Sequence, residues 1–308
     1  MTEALWKLEG KRGTLAKRQS ILEAIRCFFR SRDFLDVETP NRIPAPAPEV
    51  HVDSFMSGAW FLHPSPEVCM KRLLAAGYER LFQICKCYRE GERGARHLPE
   101  FTLLEWYRAE ADYTALMTDC EDLIFFTAHQ LGFAGRITYQ GREIDLEPPW
   151  ERIMVDEAFR RYAAMPVDEA LATDRFDEIL VEAVEPHLGC GKPTFLYDYP
   201  LPMASLARKK RGNPLVAERF ELYICGMELA NGFSELTDGE EQRRRFAEAL
   251  EERKRLGKGD SPLPEPFLDD LLQMPEAAGI ALGLDRLVMV LTDAAVIDQV
   301  VAFPPEML

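Results

Sequence analysis

The chain has 308 residues, of which 47% are hydrophobic, so it is long enough to bury a large core without cross-links. Its 52 acidic and 37 basic residues give a net charge of −15, which disfavours binding along a nucleic-acid backbone. The seven cysteines are scattered and form no C-x-x-C pair, a usage typical of a reducing cytoplasm. Residues 1–13 contain no apolar targeting segment, and no apolar run is long enough for a membrane helix. The composition therefore predicts a globular cytoplasmic protein that is neither secreted nor membrane-bound.

The first strong element is a helix predicted over 15–32, where apolar residues recur at helical spacing. A short strand follows and stops at Pro40, because proline disfavours continuation of a regular element. A long helix leading into such a strand offers a surface for pairing with a second copy of the chain. The simpler alternative is a helix that packs only within its own chain.

Two strands rich in aromatic and apolar residues are predicted over 80–89 and 101–108, joined by a polar loop. Alternation along the second strand puts Glu105 and Tyr107 on one face. A carboxylate on an otherwise apolar face requires a cationic partner, because an unpaired buried charge is costly. That partner is either one of the neighbours of Arg108 or an amino group of a ligand.

The first of these strands also carries Cys85 and Cys87 on one face with Arg89. Two cysteines in this arrangement could serve a metal or redox role. The sequence places no histidine cluster nearby to complete a set of ligands. Ordinary packing is therefore the preferred interpretation of both cysteines.

A second hairpin is predicted over 219–235, with its turn at 224–226. This register is expected to place Glu221 and Glu228 directly opposite one another, although like charges that face each other destabilise a sheet. Two such carboxylates suit a magnesium ion that carries nucleotide phosphates, and the alternative is a pair of solvated glutamates on an edge. Beyond them, an amide, an aromatic wall and a further carboxylate could hold an amino acid: Asn231, Phe233 and Glu235.

The third chemical segment is 279–292, where a short apolar strand between Gly279 and Gly283 precedes a helix opened by Asp285. Arg286 falls in the first turn of that helix, off the apolar face. A guanidinium beside a glycine that permits close approach is a favourable phosphate site.

Taken in this order, the three segments resemble the three signature motifs of class II aminoacyl-tRNA synthetases. Motif 1 is the helix and strand that end at Pro40, motif 2 covers 89–108, and motif 3 is GIALGLDR with Arg286. The resemblance spans nearly the whole chain and implies an α+β fold, in which an antiparallel sheet is flanked by helices. It also implies one catalytic domain over 1–308, with a helical insertion around 150–192, and a homodimer formed through motif 1.

Several short segments look like the lysine-specific branch of this class: Ser65-Pro66-Glu67, Pro99-Glu100-Phe101-Thr102, Glu105-x-Tyr107, Arg219-Phe220-Glu221 and 228–235. The resemblance implies ATP and Mg²⁺ as cofactors. Arg89 would then hold the α-phosphate and Arg286 the γ-phosphate as the catalytic residues. Glu221 and Glu228 would bind the magnesium ion.

The resemblance also implies two groups of binding residues. The nucleotide would contact Arg89, Glu90, Gly91, Glu92, His97, Leu98, Glu228, Leu229, Gly283 and Arg286. The lysine-like substrate would contact Ser65, Pro66, Glu67, Glu105, Tyr107, Asn231, Phe233, Glu235 and Ala281. Either Glu90 or Glu92 would lie near adenine. Leu98 stands where an asparagine is common, so its nucleotide contact is absent or moves to His97, which we interpret as a phosphate or ribose neighbour rather than a base.

Little chain precedes motif 1, which leaves no room there for the anticodon-binding barrel of lysyl-tRNA synthetases. The chain thus resembles the shortened paralogues that attach lysine or β-lysine to a lysine side chain of elongation factor P. Ser65 and Ala281 agree with that group. Alternatives are a synthetase core with another acceptor, an inactive regulatory paralogue, and an asparagine synthetase, which the acidic pocket opposes. The basic run 208–211 is either a solvated loop or a docking site for an acidic partner.

Overall fold

The computed structural model describes residues 3–308. Nine strands form the main sheet: β1 (Leu35–Asp36), β5 (Arg80–Tyr88), β6 (Glu100–Ala109), β9 (Glu151–Met154), β10 (Thr194–Pro200), β11 (Lys209–Lys210), β12 (Asn213–Ile224), β13 (Met227–Ser234) and β14 (Ala277–Gly283). Five shorter strands form two small sheets: β2 (Arg42–Ile43), β3 (Met56–Ser57), β4 (Trp60–Leu62), β7 (Arg136–Tyr139) and β8 (Arg142–Asp145).

Ten α-helices lie within the same described range. They are α1 (Glu3–Gly10), α2 (Arg12–Arg30), α3 (Glu67–Ala75), α4 (Tyr113–Gln130), α5 (Val155–Tyr162), α6 (Val167–Ala172), α7 (Phe176–Ile179), α8 (Gly239–Arg255), α9 (Glu265–Asp270) and α10 (Leu284–Thr292). No helix in 3–308 is both long enough and apolar enough to cross a membrane.

The main sheet has the strand order β1-β5-β6-β14-β13-β12-β10-β9, with β11 paired to β12. The central pairs from β5 to β10 are antiparallel, whereas β1–β5 and β9–β10 are parallel. The predicted α+β fold is therefore confirmed. Its main sheet is antiparallel in the centre and has one parallel pair at each end. Motif 2 and motif 3 lie on neighbouring strands in the middle, because β6 pairs with β14.

The two faces of the sheet are covered differently. Helices α2, α4 and α10 pack on one face, where the largest core cluster includes Phe29, Phe82 and Trp106. A separate cluster on the other face joins α3, α8 and α9 to the side chain of Tyr107. Since Trp106 and Tyr107 are neighbours on β6, the alternation of that strand divides the two cores. The site develops on the face of Tyr107.

The motif 1 and motif 2 elements form as the sequence predicts. Helix α2 buries Ile21, Ala24, Ile25, Phe28 and Phe29, which recur at helical spacing. Strands β5 and β6 pair without a shift over their whole length. The local apolar pattern therefore suffices to define these elements.

The β12–β13 hairpin corrects the predicted register. Its two-residue turn is Cys225-Gly226, both at positive φ, and Glu228 pairs with Tyr223 rather than with Glu221. Glu221 instead pairs with Asn231, so the expectation that the two glutamates lie directly opposite was wrong. The register shifts beyond Tyr223 because Leu229 is an extra residue on β13. That bulge turns Glu228 to the same face of the hairpin as Glu221.

The stretch predicted as a helical insertion begins with a strand. Residues 151–154 form β9, which pairs in parallel with β10 at the end of the main sheet. Helices α5, α6 and α7 and the π-helical turn Leu180–Val184 follow. Their apolar residues share a small core of their own with Leu196 and Tyr199 of β10.

Candidate active site

A cavity of about 270 Å³ opens on the face of the sheet that carries Glu105 and Tyr107. Cross-strand pairing arranges its floor in two rows on β6, β14 and β13. One row is Glu105, Ala281 and Asn231, and the other is Tyr107, Gly279 and Phe233. Directly paired residues share a face, so three strands that are distant in sequence present one continuous surface to the cavity.

Gly279 is required by the packing at the bottom of the cavity. A Cβ atom at this position would lie 2.2 Å from Cε1 of Tyr107 and 2.4 Å from Oε1 of Glu235. Both distances are far below van der Waals contact, and the crowded atoms belong to buried side chains. Only glycine lets Tyr107 and Glu235 occupy their places.

Glu105 lines the cavity and is only 1% exposed. One carboxylate oxygen accepts a 2.6 Å hydrogen bond from Ser65 Oγ, and the other accepts a 2.8 Å bond from the Tyr107 hydroxyl. Within residues 3–308, no lysine or arginine forms an ion pair with it. Burial, reinforced by the charge of Glu67, raises the pKa of Glu105 to about 8. A carboxylate in this condition is prepared for a cation from outside the chain.

Lys71 is the internal cation of the site, and the sequence analysis did not identify it. Its ammonium nitrogen lies 3.1 Å from Oε2 of Glu67 and 2.8 Å from Oε2 of Glu235. Burial alone would lower the pKa of Lys71, but the two carboxylates raise it above its ordinary value. The spacing of Glu67 and Lys71 at i and i+4 on α3 was the available sequence signal. Glu235 lies beneath the cavity rather than on its wall, and burial raises its pKa to about 7.

Asn231 is oriented by an arginine. Arg219 Nε donates a 3.2 Å hydrogen bond to Oδ1 of Asn231, while its Nη2 atom lies 2.6 Å from Glu221. Because the amide oxygen is occupied, the amide nitrogen of Asn231 is the group left to donate into the cavity. A carboxylate or phosphate oxygen is the complementary acceptor.

Arg89 and Glu92 also line the cavity. The guanidinium carbon of Arg89 lies 5.1 Å from the centre of the Phe101 ring. Nη1 of Arg89 lies 3.6 Å from Oε1 of Glu92. Glu90 and Gly91 line a neighbouring cavity instead. Of the two glutamates left open by the sequence, Glu92 is the one that faces the site.

Arg286 also lines the cavity and is held by the motif 2 loop and by β13. Its Nη1 atom donates to the carbonyl oxygen of Glu228 at 2.7 Å, and the Glu228 carboxylate lies 3.3 Å away. Its Nη2 atom is 2.6 Å from Nε2 of His97. Burial, followed by the charge of Arg286, lowers the pKa of His97, so the ring is neutral and accepts this hydrogen bond. His97 therefore positions Arg286.

The two predicted metal ligands lie in different environments. Glu228 lines the cavity, with its side chain 36% exposed. Glu221 is buried behind it, and its oxygens contact Arg219 and the hydroxyls of Tyr199 and Tyr223. Burial raises the pKa of Glu221, and the charge of Glu228 raises it further, which indicates that the two groups share a neighbourhood.

The cavity thus collects most of the predicted site residues. It brings together Ser65, Glu67, Arg89, Glu92, His97, Leu98, Glu105, Tyr107, Glu228, Leu229, Asn231, Phe233, Ala281, Gly283 and Arg286. Pro66, Glu90, Gly91, Glu221 and Glu235 do not line it. The wall also contains Glu49, from the proline-rich segment before β3, and Arg96, neither of which the sequence analysis identified. Glu49 interacts with the charges of Glu67 and Arg89.

The basic run 208–211 is neutralised within the chain. Arg208 pairs with Glu218 and Glu276, and Lys209 pairs with Glu241. Lys210 and Arg211 contact Asp198 and Glu276. These pairs leave less positive charge for a partner than the sequence alone suggests.

The sequence is similar to known proteins over nearly its whole length. Residues 5–307 match the family model described as tRNA synthetases class II (D, K and N). The chain is 40% identical to the elongation factor P–(R)-beta-lysine ligase of Pectobacterium carotovorum and 38% identical to that of Yersinia enterocolitica, over 98% of each chain. It is 36% identical to a lysine–tRNA ligase of Moorella thermoacetica, over 93% of this chain and 64% of that protein.

Proposed function

The chain belongs to the class II tRNA synthetase family of the D, K and N type, and from this membership we propose that it is an ATP-dependent ligase. It activates lysine or (R)-β-lysine as an aminoacyl-adenylate and transfers the aminoacyl group to a lysine side chain of elongation factor P. The observation that carries the substrate class is Glu105, a buried carboxylate on the cavity floor whose hydrogen-bond donors are two hydroxyl groups. An ammonium group of the substrate supplies the charge that this carboxylate needs.

The acidic residues at the cavity and directly beneath it also match the number of charges on the substrate. Glu67, Glu105 and Glu235 oppose the single ammonium group of Lys71. Lysine and β-lysine each bring two amino groups, which would complete the neutralisation. Aspartate would add negative charge to the same floor, so the acidic pocket disfavours an asparagine synthetase.

We propose that the substrate carboxylate attacks the α-phosphorus of ATP, forming the aminoacyl-adenylate and releasing pyrophosphate. Arg89 binds the α-phosphate and Arg286 the γ-phosphate, and both residues line the cavity. Asn231 donates its amide N–H to the substrate carboxylate. These contacts hold the reacting groups in line and offset negative charge, so no nucleophile of the protein is needed.

A magnesium ion fits the oxygen donors near the phosphate end. Glu228 faces the cavity, Glu221 lies on the same face of the hairpin, and burial raises the pKa of the neighbouring Glu185 to about 7. Bound Mg²⁺ would neutralise charge on the phosphates of ATP. Glu228 is the proposed direct ligand, while the carboxylate of Glu221 is paired with Arg219 behind it.

In the second step, the amine of an acceptor lysine attacks the activated carbonyl carbon and AMP leaves. The choice of elongation factor P rests on the relatives that match this chain over 98% of their own length. We further propose a homodimer formed through α2 and β1, acting in the cytoplasm. Sedimentation that gives a monomer at micromolar concentration would contradict the dimer.

The test is to incubate the protein with ATP, labelled lysine or labelled (R)-β-lysine, and either elongation factor P or total tRNA. We expect pyrophosphate exchange with one of the two amino acids and label on the factor. Glu105→Gln is the matched variant that should lose both signals. Label on tRNA alone would favour the lysine–tRNA ligase activity, and absence of exchange with every amino acid would favour an inactive regulatory protein.

A further inference from the structure

Three potential metal ligands come together beside the active site, outside the machinery described above. They are His63, in the segment between β4 and α3, and Cys85 and Cys87 on β5. One ligand atom from each residue lies within 4.8 Å of the others. His63 and Cys87 are fully buried, whereas Cys85 is partly exposed and gives the cluster an opening. Hydrophobic packing explains the two cysteines, but it does not explain why a polar imidazole is buried beside them.

The imidazole of His63 is oriented as a ligand. Its Nε2 atom lies 2.7 Å from the carbonyl oxygen of Lys86, so Nε2 carries the proton and donates it. Nδ1 is buried and, in the part of the chain that the structure describes, has no hydrogen-bond partner. A histidine that donates one N–H to a backbone carbonyl presents the lone pair of its other nitrogen, which is the usual arrangement of a metal-bound imidazole. An unpaired buried nitrogen would otherwise be costly.

The separation of the two sulfur atoms fits tetrahedral coordination. Sγ of Cys85 and Sγ of Cys87 are 3.9 Å apart. Two thiolates at about 2.3 Å from a tetrahedral zinc ion lie about 3.8 Å from each other. A disulfide would need the same atoms at about 2.0 Å. The observed distance therefore suits a shared cation without rearrangement of β5.

We propose that His63, Cys85 and Cys87 form a binding site for a thiophilic cation, zinc foremost. Binding forms two Zn–S bonds and one Zn–N bond, and the proton still carried by each thiol leaves to solvent. Water or a small external thiol supplies the fourth ligand through the opening at Cys85. The ion ties the segment that carries Ser65 to β5, next to Glu105.

Metal analysis of the full chain tests the site. Protein purified under reducing conditions is stripped with a chelator, and Zn²⁺ is added in competition with a chromophoric indicator. Co²⁺ replaces Zn²⁺ in a parallel titration, because thiolate-bound cobalt absorbs in the near ultraviolet. We expect one ion per chain, the charge-transfer band with cobalt, and binding that weakens as the pH falls because protons compete for the sulfur atoms.

Cys85→Ser, Cys87→Ser and His63→Gln should each weaken zinc binding about a hundredfold. Cys27→Ser, an exposed cysteine on α2, is the control that should bind as the parent does. A parent protein that binds no zinc and develops no cobalt band would overturn the proposal, whether or not the variants fold. So would equal binding by all four variants, or a Cys85–Cys87 disulfide that persists in reducing buffer.

Discussion

Lys71 and Glu235 form a fully buried ion pair under the floor of the cavity, with Nζ and Oε2 2.8 Å apart. The second oxygen of Glu235 has no hydrogen-bond partner among the described residues. The pair therefore leaves one oxygen of Glu235 free to accept a hydrogen bond beneath the floor, while Lys71 offsets the repulsion between Glu235 and Glu67. Lys71 is thus an internal counter-ion, which stabilises the acidic pocket before the substrate binds.

The Lys71→Met variant should unfold more easily than the parent protein. It leaves Glu67 and Glu235 buried without their common cation, which we expect to lower the free energy of unfolding by roughly 3–5 kcal/mol. Urea denaturation followed by circular dichroism measures the change. Lys209→Met removes an exposed ion pair with Glu241 and should cost less than about 1 kcal/mol. Equal midpoints for the two variants would show that Lys71 is not the central counter-ion.

Glu105→Gln should separate binding from stability. The pKa of Glu105 is raised from 4.5 to about 8, so its stabilising contribution is complete below pH 4.5 and is lost as the pH rises through 8. Glutamine imitates the neutral acid and should raise the melting temperature of the substrate-free protein at about pH 9. The same variant should lose at least about a hundredfold in amino-acid-dependent pyrophosphate exchange. Unchanged exchange would remove Glu105 from the substrate site.

Substrate binding should release a proton near pH 7. The empty site holds Glu105 largely protonated, and an ammonium group placed beside it stabilises the carboxylate. Calorimetric titration with lysine in buffers of different ionisation enthalpy measures the released proton. Affinity should rise from pH 6 to about pH 8 as the competing proton is removed. An enthalpy that is independent of the buffer would contradict a protonated Glu105.

His97→Ala should weaken ATP binding through Arg286. The ring accepts a hydrogen bond from the Arg286 guanidinium at 2.6 Å, and its loss frees that side chain. We expect the KM for ATP to rise about tenfold with little change in kcat, since one charge-assisted hydrogen bond is removed. His51→Ala, at an exposed histidine, is the control. A selective loss of kcat with a new pH dependence would instead indicate base catalysis.

Glu228→Gln should change the magnesium dependence of the enzyme, whereas Glu221→Gln should change its stability. Glu228 is partly exposed on the cavity wall, so its variant should fold normally but need more Mg²⁺ for pyrophosphate exchange. Glu221 is buried against Arg219, so its variant should unfold at lower urea concentration. Magnesium titration of activity, paired with urea denaturation, distinguishes them. A Glu228 variant with unchanged magnesium dependence would exclude it as a ligand.

The sequence by itself determined the elements whose information is local. Helix α2 and the β5–β6 pair follow from apolar periodicity, because burial of one face requires that spacing. Glu105 and Tyr107 were placed side by side by strand alternation, and the 2.8 Å hydrogen bond between them agrees. The resemblance to class II motifs then identified most of the residues that line the cavity.

Only the tertiary structure decided the contacts between elements. The bulge at Leu229 changes the partner of Glu228, and a shift of one residue cannot be read from alternation alone. Lys71 contacts Glu235 only because α3 packs on the face of the main sheet to which Tyr107 points. His63 joins Cys85 and Cys87 in the same way, across separate segments of the chain. The sequence specifies such groups through the whole packing of the core, so their charges and lone pairs become neighbours only in the folded chain.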